Sequence, residues 1–133
     1  MVRITIIDDD VEFADNTAVL MRKQGYEVTT IYTTDNVVQA LTENKPDLVI
    51  LDVMFPDNPV AGFDVARKVH RTAALKQLPI ILLTAVNQEF PMNFSADDID
   101  QDWMPVQDFV EKPVSIRRLM EAVRRNLPGK KNH

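Results

Sequence analysis

Apolar and polar positions along the chain fall into blocks whose period changes from one block to the next. Val2 to Ile7 is apolar except for Arg3 and Thr5, and predicts a strand. Asp8-Asp9-Asp10 follows at once, and aspartate at such a place can cap a helix. Over 11–24 the spacing becomes helical, with Phe13, Ala14, Thr17, Leu20 and Met21 on one side. Gly25 suits the left-handed residue just past that helix. Tyr26 to Ile31 alternates, is rich in β-branched residues, and predicts a second strand. A short helix starts at Thr34 or Asp35, carries Val37, Val38 and Leu41, and stops near Asn44-Lys45-Pro46.

Leu48-Val49-Ile50-Leu51 is a continuous apolar run ending at Asp52, as a strand covered on both faces requires. A loop with Pro56 and Pro59 leads to a helix from about Gly62, with Phe63, Ala66 and Val69 at helical spacing. Pro79 to Leu83 is another buried-strand run, ending at Thr84. Asp108 to Glu111 predicts a short last strand. Ile116, Leu119, Met120, Val123 and Leu127 mark one face of a final helix that Pro128-Gly129 stops. Strands thus alternate with helices throughout. Continuous apolar strands in that setting predict an α/β fold: a parallel sheet, doubly wound, with helices on both faces.

Such a fold places chemistry outside the carboxyl ends of its strands, at the point where the strand order reverses. The first strand delivers Asp8 and Asp9 there, the third Asp52, the fourth Thr84 and Ala85, and the fifth Lys112 followed by Pro113. Each close pair of carboxylates costs about 4 kcal/mol at an effective dielectric near 20. A cluster of three must take up protons, pair with Lys112 or bind a cation. Oxygen ligands without Cys or His select a hard ion, and Mg²⁺ fits best. Mg²⁺ neutralises phosphoryl oxygens. A carboxylate can attack phosphorus to give an acyl phosphate, and a hydroxyl and an ammonium can hold the oxygens of the transferred group.

These motifs together resemble the receiver domain of bacterial two-component response regulators. The resemblance rests on Ile6-Ile7-Asp8-Asp9-Asp10, Pro46 to Asp52, Leu83-Thr84-Ala85 and Glu111-Lys112-Pro113, and runs from residue 2 to about 127. It implies a five-stranded sheet in the flavodoxin-like order 2-1-3-4-5, with residues 1–128 as the receiver domain and 129–133 as a tail. Asp52 matches the phosphoacceptor. Asp9 matches a direct Mg²⁺ ligand, Asp8 one acting through water, and Met54 the residue lending a backbone carbonyl. Thr84 matches the switch hydroxyl, with the small Ala85 beside it, and Lys112 matches the phosphoryl-binding lysine. Lys112-Pro113 matches a bond commonly cis in the family. Phe109 takes the aromatic switch position. The implied phosphoryl donor is a sensor histidine kinase or phosphotransfer protein. The implied reader of the switch is a downstream protein or a fused output domain.

Two stretches depart from that pattern. The loop from Asp52 to Gly62 is about two residues longer than usual, with Phe55 where methionine is typical. Residues 86–107 form an atypical fourth-helix region, too long and without the expected alanine- and glycine-rich helix. Phe90, Phe94 and Trp103 there are expected to fill a packed surface loop; a partner-binding surface is the competing reading.

Length, composition and charge narrow the picture further. The 133 residues make one domain, and 45% apolar content is neither disordered nor membrane-spanning. No cysteine is present, which excludes thiolate metal sites and cysteine catalysis. The net charge of −5 argues against a nucleic-acid surface; the basic stretches at Arg67 to Arg71 and Arg117 to Arg125 read as solvated helix faces. No signal-peptide pattern precedes the first strand, so a cytoplasmic protein is expected. Asp98, Asp100 and Asp102 begin like a calcium loop, but Trp103 and Phe109 occupy its glycine and glutamate positions. An aspartyl-nucleophile phosphohydrolase needs a second aspartate two residues after the first, where Met54 stands. A receiver-like binding module that no longer uses phosphate is the other alternative. No enzymatic turnover is expected beyond self-phosphotransfer and autodephosphorylation.

Overall fold

The computed structural model of the protein describes residues 2–52, 61–85, 108–112 and 115–127. Its elements run β1 (Arg3–Ile7), α1 (Val11–Lys23), β2 (Glu27–Ile31), α2 (Val37–Asn44), β3 (Leu48–Asp52) and α3 (Ala61–Arg71). A 3₁₀ turn (Ala73–Leu75), β4 (Ile80–Ala85), β5 (Asp108–Lys112) and α4 (Ile116–Asn126) follow. The five strands are parallel in the order β2-β1-β3-β4-β5, as expected.

Side-chain alternation splits the core into two layers. Ile4, Ile6, Leu48, Ile50, Ile81 and Leu83 point to one face, where Ala14, Ala18 and Met21 of α1 and Leu119 and Val123 of α4 cover them. Ile7, Val49, Leu51, Ile80 and Leu82 point to the other, under Val37 and Leu41 of α2 and Val65, Ala66 and Val69 of α3. Every residue of β3 is buried. That is why its sequence is a continuous apolar run rather than an alternating one.

Helix ends follow local chemistry. Asp10 caps α1 through its side chain, which accepts from the Phe13 amide at 3.0 Å. Beyond Lys23 the Gly25 amide donates to the Arg22 carbonyl and the Tyr26 amide to Met21, a Schellman pattern, with Gly25 at φ +96°. Tyr26 packs on the same core cluster as Met21 and is thereby part of the helix stop. Ser115 caps α4, accepting from the Arg118 amide at 3.1 Å.

Some boundaries differ from the sequence reading. Helix α2 starts at Val37, not at Thr34 or Asp35, because Asn36 at φ 59° is left-handed and interrupts any earlier turn. Leu20 is exposed, and the inward stripe of α1 is Ala14, Thr17, Ala18 and Met21. Small residues there let the helix approach the sheet closely, and Leu20 falls beside the stripe. Ile116 in the first turn of α4 is exposed, and Ala122 takes a core place instead. The 3₁₀ turn was unforeseen; it buries Leu75 beneath the second layer. Met54, Phe55, residues 86–107 with Phe90, Phe94 and Trp103, Pro113 and the 129–133 tail lie outside the described residues.

No helix of the described residues is long and apolar enough to cross a membrane.

Candidate functional site

Strand register sets the site. In the ladder between β1 and β3, Ile7 lies opposite Leu51, so Asp8 and Asp52 follow at the same level. The reversal of strand order falls between these strands: β1 leads on to β2 at one side, while β3 lies at the other. The Asp8 amide donates to the Ile31 carbonyl at 2.9 Å, which extends the β1–β2 ladder one residue beyond the strand.

Carboxylate oxygens of Asp8, Asp9 and Asp52 all come within 4.8 Å of one another. Asp8 and Asp52 are buried, at 0% and 1% exposure, and Asp9 is half-buried at the mouth. Like charges brought together out of water repel strongly. The donor set is oxygen only, compact and open on one side through Asp9. Those are the properties of a site for a hard divalent cation that keeps part of its water shell. The three residues therefore fit Mg²⁺.

Local backbone structure holds this arrangement. Asp8 Oδ1 accepts from the Asp10 amide at 2.9 Å, an aspartate turn that bends the chain out of β1 and into α1. Asp10 then caps the helix, so consecutive aspartates have separate tasks: Asp8 turns the chain, Asp9 lines the mouth, Asp10 starts α1.

Of the other sequence-predicted residues, Thr84, Ala85 and Lys112 lie on the same edge of the sheet. Thr84 and Ala85 end β4, and Lys112 ends β5 opposite Ala85. Asp52 pairs with Leu83, one residue short of Thr84. Phe109 does not lie on that edge: it is the second residue of β5, opposite Leu82, toward the strand's amino-terminal end.

A polar link that the sequence reading missed lies beside the site. The Tyr32 hydroxyl donates to Asp15 Oδ1 at 2.5 Å, and Thr30 Oγ1 donates to the Tyr32 hydroxyl at 2.9 Å. It ties the end of β2 to α1 across 17 residues of chain. Nothing in spacing or composition announces such a pair; only packing α1 beside β2 brings it together.

Known proteins share this arrangement of elements. A family model for the response regulator receiver domain matches residues 4–124. A response regulator from Chloroflexus aurantiacus J-10-fl is 26% identical with a TM-score of 0.75, over 92% of this chain and 94% of that one. The signal receiver domain of a LuxO repressor protein from Vibrio parahaemolyticus is 25% identical with a TM-score of 0.76, over 97% of this chain and 92% of that one. NtrX from Brucella abortus, 23% identical, shares the fold at a TM-score of 0.79 across 98% of this chain but only 28% of its own length. With the family match running from β1 into α4, over a parallel sheet whose carboxyl edge carries Asp8, Asp9 and Asp52, this chain belongs to the response regulator receiver domain family.

Proposed function

We propose that Asp52 is the phosphoacceptor of a two-component signalling protein. The observation that carries this reading is the meeting of Asp8, Asp9 and Asp52 at the switch point of the sheet, with their oxygens within 4.8 Å. A carboxylate oxygen of Asp52 attacks phosphorus of the donor. The new O–P bond forms as the donor's N–P or O–P bond breaks, and the leaving group departs with the electron pair. Asp8, Asp9, Asp52 and the carbonyl of Met54 are the residues that hold Mg²⁺ in this reading. Mg²⁺, when bound, supplies positive charge against the phosphoryl oxygens.

Thr84 and Lys112 hold the phosphoryl oxygens once the group is on Asp52. Their places at the ends of β4 and β5 support this, and Ala85 leaves room beside Thr84. Charge-assisted hydrogen bonds of this kind are worth about 1.5–3 kcal/mol each. Formed in one conformation only, two of them shift a two-state equilibrium by roughly 10²-fold or more. Phe109 on β5 then reports the shift to a partner. The donor is a sensor histidine kinase or phosphotransfer protein in the cytoplasm. The reader is a downstream protein or a linked output domain, and residues 1–128 form the receiver unit, with 129–133 a tail.

Intact mass after incubation with an acyl phosphate and Mg²⁺ tests the reading. A Mg²⁺-dependent phosphoryl adduct in the wild type, absent from Asp52→Asn, is expected. No adduct in a folded protein, together with no binding of beryllofluoride, would overturn it in favour of a phosphate-independent binding module.

A further inference from the structure

We propose that Tyr32 and Asp15 are positioning residues for the acidic site, setting its affinity for Mg²⁺ without touching the ion. This rests on the reading of Asp8, Asp9 and Asp52 as the Mg²⁺ site.

The geometry is a closed circuit. The Asp8 amide donates to the Ile31 carbonyl at 2.9 Å, fixing the end of β1 to the end of β2. The next residue of that end, Tyr32, donates its hydroxyl to Asp15 on α1 at 2.5 Å. Asp15 lies in the second turn of α1, whose first turn is capped by Asp10. The Asp10 amide in turn donates to Asp8 Oδ1 at 2.9 Å, which closes the circuit. Asp9 is the one residue between the two anchored aspartates and has its place set by both.

Each link suits this role. A phenol donating to a carboxylate gives a short, charge-assisted bond. Thr30 Oγ1 donates to the same hydroxyl at 2.9 Å, which leaves the phenolic proton to point at Asp15. The neighbouring contact on this side of α1, from the Arg22 guanidinium to the Val28 carbonyl at 2.8 Å, fastens the far end of the helix to the same strand. Tyr32 fastens the end nearer the site. Mg²⁺ demands near-ideal octahedral geometry at about 2.0–2.1 Å. A shift of the helix entrance by a fraction of an ångström therefore registers in affinity before it registers in the fold. A simple staple between β2 and α1 would instead alter stability and leave the ion's affinity alone.

Titration calorimetry of the full chain with magnesium chloride separates these roles, alongside urea unfolding of the same proteins in EDTA. Tyr32→Phe changes no charge and removes the link. Its Kd for Mg²⁺ is expected to rise about threefold, below the tenfold and more that follows loss of a ligand's direct partner. Asp15→Asn keeps an acceptor oxygen and is expected to retain most of the affinity, whereas Asp15→Ala behaves like Tyr32→Phe. The double variant Tyr32→Phe/Asp15→Ala is expected to be no weaker than Asp15→Ala. A wild-type Kd in a Tyr32→Phe protein of lowered stability would show a staple only and overturn the inference. A wild type that binds no Mg²⁺ would instead bring down the reading of the site, and this inference with it.

Discussion

Ile7 stands opposite Leu51 in the β1–β3 ladder, and the residue following each is a buried aspartate. A shift of the register by one residue would carry Asp8 away from Asp52. The parallel pairing of two apolar strands thus sets the distance between two charges. Those apolar strands, buried on both faces, hold the carboxylates together against their repulsion.

That opposition predicts a trade between stability and function. Without divalent ions, Asp52→Asn removes one of three clustered charges and is expected to stabilise the domain by about 1–2 kcal/mol, less than the full repulsion of a close pair. Mg²⁺ at 100 times its Kd adds about 2.7 kcal/mol to the wild type and less to the variant. Urea unfolding with and without Mg²⁺ reads both effects. A less stable Asp52→Asn protein in EDTA would contradict the account of the cluster.

Asp9 is the half-buried member of the acidic cluster. Asp9→Asn is expected to weaken Mg²⁺ binding tenfold or more and, by relieving part of the repulsion in the cluster, to raise stability in EDTA by about 0.5–1 kcal/mol, less than Asp52→Asn because water screens the half-buried carboxylate. Calorimetric titration gives the first number and chemical denaturation the second.

The stop of α1 depends on a left-handed residue. A Cβ added at Gly25 would have nothing within 4 Å, so Gly25→Ala costs backbone strain alone, about 1–2 kcal/mol. Thermal unfolding should show the loss, while Mg²⁺ affinity, set at the other end of the helix, stays at the wild-type value.

Packing predicts a contrast between two aliphatic residues. Ile50 is fully buried in the centre of the sheet, and Ile50→Ala is expected to cost about 2–5 kcal/mol. Leu20 is 41% exposed, and Leu20→Ala should cost less than about 0.5 kcal/mol. Denaturant midpoints of the two variants decide it. Equal losses would mean that Leu20 has a covered place in the folded protein.

Much of this protein was legible in its order of residues. Apolar runs such as Leu48 to Leu51 are strands because only a doubly covered strand can bury four consecutive side chains, and their alternation with helical stretches leads to a parallel sheet. Asp8, Asp9 and Asp52 stood out because charges directly after buried strands are costly unless they serve a site. Local rules also reached the cap at Asp10 and the stop at Gly25, which depend on neighbours a few residues away.

Tertiary structure alone decided the rest. The start of α2 turned on the left-handed Asn36, a conformation no local pattern announced. Leu20 lost its place in the core to Ala18, because close approach of α1 to the sheet selects small side chains and leaves larger ones at the edge. The bond from Tyr32 to Asp15 exists only once β2 and α1 lie side by side. Periodicity in a sequence records which face of an element is buried. Contacts between elements depend on the distance and register at which those faces meet, and these are properties of the assembled core.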